Sequence, residues 1–164
     1  MKIATLSFEL RNTEMALTGE QRVEIIADII KKYHPELLLC AGWAVETDED
    51  LVNLATKCKS VGSTTTTLVE VKHALKGNHD FPSSHKMNVI TDSNSIIELG
   101  RQYFASSGEL NSDDAVELVR NLENNIKNRI FKVNEYNCFA LCCGELNSRP
   151  CKTPTPRVNT SIFA

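Results

Sequence analysis

Apolar positions along this chain change their period several times, and each change marks an element. Residues 2–8 (Lys-Ile-Ala-Thr-Leu-Ser-Phe) alternate in part, as a half-buried strand does, and a polar stretch follows through Gly19. Val23, Ile26 and Ile30 then recur at helical spacing, with Ile25 and Ile29 widening the stripe. Thr18-Gly-Glu-Gln21 has the capping-box spacing that opens such a helix, and Pro35 follows its end. Residues 36–41 (Glu-Leu-Leu-Leu-Cys-Ala) are a short apolar run suited to a buried strand. Thr47 and the carboxylates of Asp48, Glu49 and Asp50 head a second helix, with Leu51, Leu54, Ala55 and Cys58 as its apolar face and Gly62 as its stop. Residues 64–71 are rich in β-branched side chains and predict a third strand; 74–86 read as an exposed loop. Residues 87–91 and 95–99 predict a hairpin about Asp92-Ser-Asn94. Ser112 heads a third helix carrying Ala115, Val116, Val119, Leu122 and Ile126. Residues 130–133 and 138–143 predict a last hairpin about Asn134-Glu-Tyr-Asn137.

The order is strand, helix, strand, helix, strand, then hairpin, helix and hairpin. It predicts an α/β fold: a mixed β-sheet with flanking helices, its early strands parallel and joined by right-handed crossovers. Residues 1–147 form one domain. The tail, 148–164, holds Pro150, Pro154 and Pro156, which exclude a regular helix there.

Composition narrows the function classes. The net charge of −3 and the lack of an Arg/Lys run argue against nucleic-acid binding. No segment approaches membrane-spanning length, and the first apolar run is too short for a signal peptide. Cys40, Cys58, Cys138, Cys142, Cys143 and Cys151 have neither metal-ligand spacing nor a disulfide framework, so reduced thiols in a cytoplasmic protein are expected.

Two passages carry candidate chemistry. In the first, Cys143 precedes Gly144 and Glu145 at the end of the last predicted strand, where a sharp turn can present a nucleophile. The competing reading makes Cys138, Cys142 and Cys143 buried core residues. The second, Gly77-Asn-His-Asp80, resembles an element of calcineurin-like metallophosphoesterases. That family also needs Asp-x-His in its first strand, where this chain has Ser7-Phe-Glu9, and Gly-Asp-x-x-Asp where it has Gly42-Trp-Ala-Val-Glu46. One Asn and one His cannot assemble a dinuclear site, so His79 and Asp80 read as turn residues and no metal is expected.

Three passages together resemble the first half of the nitrilase, or carbon–nitrogen hydrolase, superfamily. Lys2-Ile-Ala-Thr-Leu, the helix and Pro35-Glu-Leu-Leu-Leu are similar to its opening strand, helix and second strand. Residues 87–104 are similar to its central hairpin, and 130–146 to the hairpin that delivers its catalytic cysteine. The resemblance implies half of a four-layer sandwich and, without cofactor, hydrolysis of a small amide. Cys143 would attack, Glu46 or Glu109 would act as base, and a lysine would stabilise the oxyanion. The lysine position falls on Gln102, which donates a hydrogen bond but brings no charge; Lys72 and Lys76 lie outside that passage. The alternative implied is a non-catalytic binding or assembly domain on the same scaffold. Half a sandwich leaves an apolar face to cover, and a homo-oligomer is one way to cover it.

Overall fold

The computed structural model describes residues 1–8, 17–40, 44–72, 85–101, 116, 120 and 123–141. The elements follow the predicted order: β1 (Ile3–Leu6), α1 (Gly19–Tyr33), β2 (Leu37–Cys40), α2 (Asp48–Ser60), β3 (Thr66–Lys72), β4 (His85–Ile90) and β5 (Ile96–Arg101). A 3-10 turn (Ile126–Arg129) then leads into β6 (Ile130–Val133) and β7 (Tyr136–Phe139). β1 to β5 form one mixed sheet in chain order; β1, β2 and β3 are parallel, and β4 and β5 each pair antiparallel with the strand before. β6 and β7 form a separate antiparallel pair.

Both helices start where the sequence places caps. Thr18 and Gln21 exchange side-chain-to-backbone bonds at 3.2 and 2.9 Å, and Thr47 and Asp50 do the same at 3.1 and 3.2 Å. α1 closes on His34 in the left-handed region, just before Pro35. Past the end of α2, Gly62 takes φ +63°, and the N–H of Ser63 donates back to Cys58 O at 3.0 Å.

The helices share one face of the sheet, as two crossovers of one hand require. Val23, Ile26 and Ile30 of α1 and Leu51, Leu54 and Cys58 of α2 pack there against Leu38, Cys40, Val69, Val71 and Ile90. On the opposite face Leu37, Met87, Val89 and Leu99 meet Phe131, Val133 and Ala140. Among the described residues three layers result: helices, five-stranded sheet, hairpin. Each buried aliphatic side chain contributes roughly 1.5–3 kcal/mol to holding them together. Arg129 is fully buried at the hairpin's entry, its Nη1 donating to Met87 Sδ at 3.5 Å. At the other end of the hairpin Asn134, in the left-handed region, donates to Glu36 Oε1 at 2.5 Å.

Several boundaries differ from those read in the sequence. The last turn is only Asn134 and Glu135, so Val133 pairs Tyr136, and β7 ends at Phe139 instead of running through 138–143. Asn134 accepts the left-handed backbone, which allows a tighter turn than four polar residues suggest. β4 begins at His85, inside the predicted loop, and β5 continues through Gly100 (φ +98°), past a ladder irregularity at Met87/Asn88. Residues 116, 120 and 123–125 are helical, in line with the predicted third helix, but Val116 and Ile126 of its expected apolar face are 70% and 43% exposed. Ile126 belongs to the 3-10 turn, whose tighter winding takes it off a 3.6-residue stripe.

Gly19 is where the two helix starts touch. A methyl group there would run into Asp50 Oδ2, the atom that accepts from Thr47 N and, at 2.9 Å, Thr47 Oγ1. Gly19→Ala is expected to cost about 1 kcal/mol in urea unfolding by disrupting the α2 cap. Combined with Asp50→Ala the two losses should fall short of their sum; strictly additive losses would show that the contact is not shared.

Candidate functional site

β5 runs parallel to β1–β3 and β4 runs opposite. The ends of β1, β2, β3 and β5 and the start of β4 therefore lie along one edge of the sheet. In open α/β sheets ligands bind outside the carboxyl ends of parallel strands.

Glu46 stands on this edge by an indirect route. Leu39 pairs Leu68, 29 residues later, whereas Val45 bridges Val71, 26 residues later. The register thus shifts by three between β2 and Val45, whose N–H donates to Glu70 O at 3.3 Å. Val45 is six positions after Leu39 in sequence but pairs only three steps further along β3, and Glu46 follows it.

Its side chain serves a structural partner. Glu46 Oε2 accepts from Arg22 Nη2 at 3.0 Å; the Arg22 side chain is 7% exposed and that of Glu46 49%. Arg22 lies on α1, and its Nε is buried without a hydrogen-bond partner among the described residues. The pair joins α1 to the residue just ahead of the α2 cap. Sequence reading missed Arg22, yet the signal was present: it lies four residues before Ile26 and eight before Ile30, on the buried stripe.

Of the described thiols, none is poised for attack. Burial, reinforced by Cys58 nearby, pushes Cys40 up to about 12, and burial pushes Cys58 up to about 11. Cys138, half-buried beside the second core, is also raised by burial. A protonated thiol is a poor nucleophile, so these three are packing residues. Cys143, Glu109 and Gln102 lie outside the described residues, as do Trp43 and Gly77-Asn-His-Asp80. The last predicted strand, 138–143, is corrected to Tyr136–Phe139, which ends four positions before Cys143. Among the described residues no group of three His, Cys, Asp or Glu side chains could hold a metal ion.

Ladder partners fix how far the candidates' strands stand apart. Val45, Val71, Lys86 and Arg101 form one row across the sheet. At roughly 4.8 Å per strand, the backbone at Arg101, just ahead of Gln102, is about 14 Å from that at Val45, just ahead of Glu46.

No protein-family model, curated protein or solved structure matches this chain.

Proposed function

We propose that the chain is a carbon–nitrogen hydrolase-type domain that cleaves a small amide through Cys143 and needs no cofactor. The observation that supports this best is the layering. The five-stranded sheet carries α1 and α2 on one face and a second, two-stranded sheet on the other. A two-sheet sandwich would begin in this way, and β7 leads the chain toward Cys143. In the proposed reaction Glu109 takes the thiol proton and sulfur bonds to the amide carbon. The C–N bond then breaks, the amine leaves with a proton, and water hydrolyses the thioester. Glu46 is given a supporting role, because its Oε2 is already engaged by Arg22. Gln102 offers the oxyanion a hydrogen bond without charge, which implies slow turnover.

The engagement of Glu46 also favours a second reading, a binding or assembly domain that retains the scaffold without the chemistry. Site-resolved alkylation by iodoacetamide near neutral pH separates the two. The hydrolase reading expects Cys143 to react at least tenfold faster than Cys40, Cys58 and Cys138, and Glu109→Gln to slow it while Glu46→Gln does not. A Cys143 as inert as Cys40 would retire the hydrolase in favour of binding or assembly.

A further inference from the structure

The hairpin runs along the strands of the larger sheet, and contacts place both its ends. At its turn Asn134 donates to Glu36, just ahead of β2. At its entry Arg129 Nη1 meets Met87 Sδ at 3.5 Å, and a methyl group on Gly100 would lie 3.8 Å from Arg129 Nε. β6 therefore descends from the carboxyl edge of the parallel strands and β7 climbs back to it. There Ala140 N donates to Arg129 O at 3.0 Å. Met87 pairs Gly100 on one side and Glu70 on the other. The exit of the hairpin thus stands over the row Glu70, Met87, Gly100. Cys143 follows Ala140 by three residues, at most about 10 Å of chain.

Strand alternation sorts the carboxylates of this edge by face. Leu68 packs with the hairpin core, and Val69 and Val71 with the helix core, so Glu70 is on the hairpin side, where it is half-buried. Glu98 pairs Asn88, which alternates with Met87 and Val89 of the hairpin core, so Glu98 is on the helix side, bonded to Lys86 at 3.5 Å. Glu46 reaches Arg22 of α1, on the helix side as well. Among the described residues Glu70 is the carboxylate of this edge on the face from which the chain leaves toward Cys143.

We propose that Glu70 binds the substrate's amide nitrogen: its carboxylate accepts the N–H of the scissile amide while Cys143 attacks the carbonyl carbon. This rests on the hydrolase reading, and it narrows the substrate to an amide that keeps an N–H and carries no negative charge beside it. Glu70 already takes part in a polar interaction, but a carboxylate offers about four acceptor sites, so it can accept a ligand N–H as well.

The test compares two alkylating agents of one shape at low ionic strength: iodoacetamide, which has an amide N–H, and iodoacetate, which is an anion. Rates at Cys143 are read by mass spectrometry on the folded chain and on the urea-unfolded chain. Folding is expected to raise the iodoacetamide-to-iodoacetate rate ratio at Cys143 tenfold or more, and Glu70→Gln should return it to the unfolded value. A folded ratio equal to the unfolded one would overturn the proposal, and so would a raised ratio that Glu70→Gln leaves intact. The ratio does not depend on how fast the thiol is. A Cys143 as slow as Cys40 that still shows a raised, Glu70-dependent ratio would retire the hydrolase and keep Glu70 as an amide-binding site.

Discussion

Between pH 9 and pH 11 the folded protein is expected to lose stability steeply, and two buried thiols account for the difference from variants lacking them. Cys40 and Cys58 are 7% and 0% exposed in the core between sheet and helices. In the unfolded chain a thiol ionises at about its ordinary value of 9.0, whereas folding holds Cys40 to about 12 and Cys58 to about 11. Below pH 9 both states are protonated and these groups add no pH dependence. Above it the unfolded chain releases protons that the folded chain retains, so stability falls as pH rises toward the folded values. A tenfold difference in acidity corresponds to about 1.4 kcal/mol, which gives roughly 4 kcal/mol for Cys40 and roughly 3 for Cys58 once both have titrated. Urea unfolding at pH 8, 9, 10 and 11 under reducing conditions, for the parent and for Cys40→Ala and Cys58→Ala, isolates each share. Each variant is less stable at pH 8, where it leaves a small cavity, but its curve should be flatter above pH 9. Parallel curves for all three proteins would mean that neither thiol is held protonated by the fold.

Glu46→Ala is expected to lower stability by about 2 kcal/mol, because it leaves the buried Arg22 guanidinium without the carboxylate that answers it. The cost stays below that of a fully buried pair, since Glu46 is half exposed and water can reach the vacated position. Replacing both members, as Arg22→Met with Glu46→Ala, should recover most of the loss, for a methionine suits the apolar stripe around Val23 and Ile26. A double-mutant cycle in urea measures this coupling. Were Glu46→Ala as stable as the parent, the ion pair would contribute nothing, and Glu46 would return as a free candidate for the base.

These two residues also show how far the sequence could be read. The helices, their caps and the first five strands were legible, because period and capping chemistry are local signals: Thr18 with Gln21 and Thr47 with Asp50 bond as their spacing foretold. The α/β class and the mixed sheet followed from element order. The destination of Glu46 was not legible. Whether a carboxylate meets Arg22 or open solvent depends on the register at which Val45 bridges Val71, and no local pattern encodes that register. The end of β7 was misplaced for a related reason. The apolar run 138–143 continues past the strand, and only the tight turn at Asn134 fixes which residues pair.

The strict agreement between strand order and chain order has a consequence for how the molecule is made. Each strand of the larger sheet pairs with the strand synthesised just before it, so no step waits for a distant segment to thread between two already formed. Loop-closure entropy stays low, and the contact order of the sheet is low for a parallel β structure. On the ribosome the sheet can therefore grow one strand at a time. The apolar face formed by Leu37, Met87, Val89 and Leu99 stays open until Phe131 and Val133 emerge. That interval, rather than the native state, is when this chain is most exposed to aggregation.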